Sequence, residues 1–345
     1  VETENVTRAD LAEMMVGREV LFQIDKEPVE IGEPVLRARG LRAEDERNIE
    51  ALSGVDLTVR SGEIVGIAGV SGNGQKELAE VTGDPLAPVE FDRFPDGEGM
   101  ARIGDAVDDH AVVVASTVSD AAHIECLQLQ DAAHEAGASQ VTTVLPYMGY
   151  ARQDRSFEAG EPVSARAVAR AVSTGTDRVL TVEPHEPAVC AHFGVPATAV
   201  DAAGVLADPL PADLTDPLFL SPDAGAVDLA ATVADAYGRG DTDYFEKKRL
   251  SGSEVEITPS DAPVADRDVV LVDDIVATGT TMSESVAVLN DRAARSVYVT
   301  CVHPLLASNA VTKLSRAGVE AIYATDTIER PVSAVSVAPA IADAL

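Results

Sequence analysis

A chain of 345 residues has room for two or three domains, each large enough to bury a core of its own. Its hydrophobic content of 46% is that of a globular protein, with no apolar run of membrane-crossing length and no secretory signal in the opening VETENVTRAD. A formal charge of −32, spread along the chain instead of gathered in a tail, repels phosphate backbones and excludes nucleic acid as a target.

In chain order, residues 8–16 form a short amphipathic segment, 27–34 a connector rich in Pro and Glu, and 35–41 and 55–59 alternating strand-like patterns. From residue 63 the rhythm changes to apolar strand, loop and helix, repeated. Strands are expected at 64–68, 111–115, 141–146, 178–182, 218–221, 269–272, 297–302 and 321–324. Alanine-rich helices are expected at 121–136, 164–173, 224–237, 281–294 and 307–317. Such alternation predicts an α/β chain with mostly parallel sheets. About 280 residues exceed what one such sheet holds, so two α/β domains in tandem are expected, at 63–205 and 206–345, behind an irregular leader at 1–62.

The string VVLVDDIVATGTT, residues 269–281, carries the most chemistry. An apolar strand runs into Asp273 and Asp274, then a small-residue loop of Ala277, Thr278, Gly279, Thr280 and Thr281, then a helix. Ligands of doubly wound sheets sit beyond the carboxyl ends of strands, where this loop falls. Free N–H groups at the helix start, with threonine hydroxyls, can hold a phosphate dianion. The two acids then face sugar hydroxyls or a metal bound to them; two carboxylates ending a buried strand are costly without such a partner. The string resembles the phosphoribosyl-diphosphate motif of the type I phosphoribosyltransferase fold. The resemblance implies two tandem domains of that fold.

A second string, PYMGYARQDRSF at 146–157, sets Arg152, Gln153 and Asp154 on a loop among aromatic residues. It resembles the signature of the ribose-phosphate pyrophosphokinase family, whose R-Q-D element binds ATP. EFDRFPDGE at 90–98 resembles the family's other ATP element, with Phe94, Asp96, Gly97 and Glu98 at matching places. In the family that element reaches a neighbouring subunit's nucleotide, which implies a homo-oligomer with shared active sites. LTVEPHE at 180–186 and LSPDAG at 220–225 each end a strand, with His185 and Asp223 at positions that in the family help hold Mg2+ with the nucleotide. YFEKKRLSGSEVEI at 244–257 places Lys247 and Arg249 at the K-x-R positions of the family's mobile catalytic loop. Arg249, Asp273, Asp274 and residues 277–281 are then the expected contacts of ribose 5-phosphate. The chain departs from the family pattern at Glu183, usually Asp; at Ala277, usually an acid; and at Thr280, where glycine is common.

Residues 1–80 resemble a different family. LAEMMVGREV, VLRARGL and SGVDLTVRSGEIVGIAGVSGNGQKELAE are similar to the linker and second ATPase module of a sugar- or nucleoside-type ABC transporter. Gln75 stands where a P-loop lysine belongs, and no ABC signature or Walker B follows, so this segment is not expected to hydrolyse ATP. A gene fusion or a misjoined gene model would put residues 64–81 in place of the enzyme's first strand and helix. Cys126, Cys190 and Cys301 form no CxxC pair, which fits a reducing cytoplasm better than a disulfide or zinc framework. The uniformly acidic surface, with only five lysines, fits a halophilic protein, because molar salt screens the repulsion.

The expected reaction joins ATP and ribose 5-phosphate, with Mg2+, into phosphoribosyl pyrophosphate and AMP for nucleotide synthesis. A phosphoribosyltransferase, a non-catalytic nucleotide-binding regulatory relative and a transporter-linked binding module are the alternatives.

Overall fold

A computed structural model describes residues 34–44, 50–60, 81–82, 86–104, 107, 109–249, 255–259 and 263–345; for 34–44, 50–60, 246–249 and 255–259 it describes the backbone alone. The chain divides into two units, residues 1–70 and 71–345. In the first, β1 (Pro34–Glu44) and β2 (Glu50–Arg60) pair antiparallel from Pro34↔Arg60 to Glu44↔Glu50. Both strand-like patterns read from the leader fall inside these strands. The expected strand at 64–68, the glycine loop at 69–74 and most of the helix at 75–81 lie outside the described residues.

The second unit holds two parallel sheets. One has four strands in sequential order, β5 (His110–Val114), β6 (Gln140–Leu145), β7 (Arg178–Val182) and β8 (Ala197–Val200). It is preceded by an antiparallel hairpin of β3 (Val89–Arg93) and β4 (Gly99–Ile103). The other has seven strands, in the order β11-β10-β9-β12-β13-β14-β15. These are β9 (Leu218–Ser221), β10 (Asp241–Arg249), β11 (Val255–Pro259), β12 (Asp268–Ile275), β13 (Ser296–His303), β14 (Ala321–Thr325) and β15 (Ser333–Val335). All pairs in it are parallel except β10 with β11.

The central strands are covered on both faces, which is why they read as continuous apolar runs and could be placed from sequence. Val269, Val270, Leu271 and Val272 are fully buried in β12, as are Leu218, Phe219 and Leu220 in β9. Of the strands that alternation and apolar runs did not reveal, β3, β4, β8, β11 and β15 are short or lie at edges, where the burial signal is weak, and β10 carries the charged string DTDYFEKKR in place of an apolar run.

The crossover helices are α1 (Asp120–Glu135), α2 (Ser164–Val172), α3 (Val227–Tyr237), α4 (Thr280–Asp291), α5 (Ala310–Ala317) and α6 (Ala338–Ala344). The first five match the alanine-rich stretches; a 3-10 turn at Ala224–Ala226 precedes α3, and α6 is additional.

One core joins the two sheets. Val144, Leu180, Val182 and Val200 of the four-stranded sheet pack in a single cluster with Phe219, Val270, Val272 and Val302 of the seven-stranded one. Val337 and Ile341, at α6, complete it, and the Arg178 guanidinium of β7 donates to the carbonyls of Ala344 and Leu345. The sheets are therefore held as one body, with strand ends of both converging on one place.

Candidate active site

Strand β12 is buried along its first five residues and becomes partly exposed at Asp273, Asp274 and Ile275. The Asp273 carboxylate accepts the Asp274 N–H at 3.0 Å, and the Asp274 carboxylate accepts the Ile275 N–H at 2.8 Å. The other Asp274 oxygen meets His185 Nδ1 at 2.6 Å, across the gap from β12 to the loop after β7. Burial, the negative charge of Asp274 and then that of Asp223 push Asp273 well above the usual carboxylate range. Burial would raise Asp274 too, but hydrogen bonds from His185 and Asp273 outweigh it and hold that carboxyl low. The bond to Asp274 in turn raises the His185 imidazole. The pair of adjacent acids thus divides into one that holds its proton more tightly than a free carboxyl and one that holds it less tightly.

Beyond these acids the chain turns through Gly279, whose φ of 67 lies in the left-handed region, directly into α4. A Cβ there would sit 3.4 Å from Leu314 Cγ and 3.5 Å from Ala310, so the loop lies close against α5. No side chain caps α4; its first N–H groups have no intrahelical partner and remain available to an anion. Thr278 and Thr280 face each other at 3.2 Å between hydroxyls. Lys313, on α5, donates to the Thr278 carbonyl at 3.0 Å and to the Thr280 hydroxyl at 2.8 Å. Sequence reading missed Lys313, which lies over thirty residues downstream; its scarcity as a lysine was the one available signal. Ala277 carries no charge but anchors the loop, its carbonyl accepting the Ala307 N–H at 2.9 Å.

The loop after β6 is fixed on its own sheet. Gly149 donates to Thr117 Oγ1 at 2.9 Å, and a Cβ on it would fall 2.1 Å from the Thr117 carbonyl oxygen, so no other residue fits. Tyr150 holds a left-handed φ of 64 with its hydroxyl 2.5 Å from Asp120. Tyr147 is buried and meets the His303 ring edge-on at 5.2 Å. Arg152 is exposed, and its charge bears on both Tyr147 and His185, so the structure brings it to the acid cluster. The Gln153 side-chain oxygen accepts from Ser164 at 2.5 Å, which fixes this amide at the start of α2. Asp154 is half-buried beside it.

Asp223 begins the turn after β9 and accepts the Gly225 N–H at 3.0 Å; its charge acts on Asp273. Glu183 does not reach toward the cluster as an outer contact. Its longer side chain accepts the N–H groups of Ala202 and Ala203 at 2.8 and 3.1 Å, and burial pushes its carboxyl up to about 7.

The hairpin turn that carries Phe94, Asp96, Gly97 and Glu98 is closed on itself. Phe94 N–H donates to the Glu98 carbonyl at 2.8 Å, Glu98 N–H to Asp96 at 3.1 Å, and Gly97 takes a φ of 96. Phe94 is 47% exposed. Among the described residues, the hydrogen bonds of these four side and main chains stay within the hairpin and do not reach the acid cluster. The backbones of Lys247 and Arg249 lie in β10, opposite Ile257 and Val255 of β11, so the expected catalytic loop is a paired arm; their side chains lie outside the described residues.

Parallel βα units that end in paired acids and an uncapped helix start define a phosphoribosyltransferase-type fold. The family comparisons specify it further. Residues 69–175 match the N-terminal domain of ribose phosphate pyrophosphokinase, and residues 202–339 match the phosphoribosyl transferase domain. A ribose-phosphate pyrophosphokinase of Halobacterium salinarum is 65% identical over 269 residues, covering 78% of this chain and 95% of that one. The enzyme of that name from Methanopyrus kandleri is 47% identical, covering 78% of this chain and 94% of its own. The crystal structure of phosphoribosylpyrophosphate synthetase from Mycobacterium smegmatis superposes with a TM-score of 0.67 at 26% identity, covering 78% of this chain and 92% of that one. The chain belongs to the ribose-phosphate pyrophosphokinase family. A relative at 65% identity from Halobacterium also accords with the acidic, lysine-poor surface.

Proposed function

We propose that the chain transfers the terminal diphosphoryl group of ATP to the anomeric hydroxyl of ribose 5-phosphate, giving phosphoribosyl pyrophosphate and AMP. The observation that carries this reading is the His185–Asp274 contact of 2.6 Å, which joins the strand ends of both sheets in one site. The anomeric oxygen attacks the β-phosphorus, and the bridging oxygen between the α- and β-phosphorus leaves with AMP. Catalysis of such transfers is mostly positioning and charge neutralisation.

In this scheme the 5-phosphate rests on the uncapped start of α4 with Thr278, Gly279, Thr280 and Thr281. The sugar hydroxyls meet Asp273 and Asp274, and Arg152 with Gln153 holds the nucleotide. Lys247 and Arg249, carried on the β10–β11 arm, cover the triphosphate. Among the described residues no three His, Cys, Asp or Glu side chains form a ready metal cage. That suits Mg2+, which keeps waters and shares phosphate oxygens, with His185 and Asp223 as its protein partners. The crowding of Asp223, Asp273 and Asp274 favours a cation there. When bound, the ion neutralises the developing charge on the phosphates.

Phe94 stands exposed on its hairpin, as do Phe91 and Val89, which supports a homo-oligomer in which this turn completes a neighbour's nucleotide site. We keep the domain division at residues 205–206, within the 3-10 turn Ala203–Ala207 ahead of β9, and the three free cysteines fit a cytoplasmic enzyme. No helix among the described residues is long and apolar enough to cross a membrane.

The test is phosphorus NMR of purified protein with ATP, ribose 5-phosphate and Mg2+. Appearance of AMP with the 1-pyrophosphoryl sugar is expected; pyrophosphate release from an added phosphoribosyl donor only when a nucleobase acceptor is supplied, with no AMP formed from ATP, would identify a transferase instead. Lys247→Ala should lower turnover by the equivalent of ~3–4 kcal/mol, as for a charge contact made in the transition state, at unchanged melting temperature. Near-normal turnover would remove Lys247 from the scheme.

A further inference from the structure

Glu183 is the last residue before the Pro184–His185 turn, and it is held in a conformation that glutamate rarely adopts, with φ at 36. Its N–H donates to the Val200 carbonyl at 3.1 Å, and its side chain accepts from Ala202 and Ala203. Those contacts belong to its own sheet. The remaining group, its carbonyl oxygen, is taken by His303 Nε2 at 2.9 Å, from the end of β13 in the other sheet.

His303 is only 1% exposed. A carbonyl only accepts, so Nε2 carries the hydrogen. Nδ1 faces the Thr327 hydroxyl at 2.9 Å. The Thr327 hydroxyl lies 2.8 Å from the Val302 carbonyl, which also takes the Thr325 hydroxyl at 2.6 Å; a neutral ring with its hydrogen on Nε2 has the Thr327 hydrogen turned to Nδ1 instead. Burial favours the neutral ring, in which one nitrogen donates and the other accepts. The same Thr327 receives the Ser116 hydroxyl on its carbonyl at 2.5 Å, from the loop after β5. The two sheets are thus bolted together by His303 and Thr327 directly behind the turn that carries His185.

The geometry points to His303 as a positioning residue: by donating from Nε2 to the Glu183 carbonyl, it fixes the left-handed turn that aims His185 at Asp274. This deepens the site reading above and rests on it. His303 touches neither of the reacting molecules in that reading; it acts through the backbone of residues 183–185.

Amide replacements separate its two bonds. His303→Gln can place an N–H where Nε2 donates, while His303→Asn can replace only the Nδ1 side. The experiment labels histidine with nitrogen-15 in the full-length protein and follows the His185 ring signals, assigned with His185→Ala, beside kcat and KM. In His303→Asn the His185 Nδ1 signal should lose its hydrogen-bonded shift, and kcat should fall by up to about 100-fold, as small misplacements can cause, with KM for ribose 5-phosphate nearly unchanged. His303→Gln should recover most of both.

A folded His303→Asn protein with the parent His185 signal would overturn the inference. So would equal losses in both variants that simply follow their melting temperatures. If His303→Asn does not fold, His303→Leu, which fills much of the same space but donates nothing to the Glu183 carbonyl, is read the same way: an unchanged His185 signal overturns the proposal and a shifted one supports it. A His185→Ala protein of full activity would sink the site reading itself, whereas the ring signal would still report on the bolt.

Discussion

Two βα units of this molecule, β5 with α1 and β12 with α4, are built alike and end differently. Both run a parallel strand into a short loop and a long helix. In the first, Ser119 accepts the Ala122 N–H at 3.2 Å with Asp120 in the opening turn, so the helix start is satisfied from within. In the second, Gly279 offers no side chain, α4 begins uncapped, and Lys313 braces the loop from behind. The unfilled helix start is the one placed beside Asp273 and Asp274. A βα turn becomes an anion site when its N–H groups are left to the ligand and stays structural when a side chain takes them.

The largest effect should come from removing the ionised acid at the second unit. Asp274→Asn should lower kcat by about 100- to 1,000-fold, since a preorganised charge contact of this kind carries that much. The fold should survive because the amide oxygen can still accept the Ile275 N–H, while its NH2 can donate to Nδ1 of a neutral His185. Steady-state kinetics beside circular dichroism decide it, and a loss under tenfold would detach Asp274 from the reaction.

A side chain at the loop's turning point should act next. Gly279→Val puts a branched Cβ in the left-handed region, at a cost of about 1–2 kcal/mol, and drives it toward Ala310 and Leu314. KM for ribose 5-phosphate should rise about tenfold while KM for ATP moves little. Equal movement of both constants would mean that the loop serves no particular substrate.

The first unit supplies the contrast. Ser119→Ala should cost ~1 kcal/mol, a fall of roughly 2–4 °C in melting temperature, and leave both Michaelis constants in place. A kinetic effect comparable to that of the Gly279 variant would erase the distinction between the two units.

The smallest effect concerns pH. His303 is held below its ordinary range by burial, so between pH 6.5 and its folded value the unfolded chain binds more protons. Its contribution is therefore complete above pH 6.5 and is lost as pH falls beneath it. Glu183, raised to about 7, titrates in the opposite sense, so the parent must be compared with a variant. The melting-temperature gap between the parent and His303→Gln should narrow from pH 7.5 to 5.5; a constant gap would show that His303 is not a buried neutral ring.

Much of this was legible in one dimension because buried parallel strands are apolar runs and crossover helices are alanine-rich. The runs around Val141, Val179, Phe219, Val270 and Val299 could be read directly. So could the acids, threonines and glycine of residues 273–281, because strand, loop and helix are adjacent in sequence and a local pattern suffices. Edge strands such as β8 and β15 were not legible, since their pairing depends on neighbours that no local pattern names. Lys313 and His303 were not legible either.

What the sequence determined by itself was the α/β class, the order of the two sheets, the family and the phosphate loop, all of which rest on short-range patterns of burial and turn chemistry. Only the tertiary structure decided which acid holds its proton more tightly, where Glu183 spends its carboxylate and which residue bolts the sheets together. Those depend on groups 20 to 120 positions apart meeting in a medium from which water has been removed, as Glu183 with Ala203 and His303 with Glu183 do. Desolvation and hydrogen bonding across such distances have no signature in a linear string.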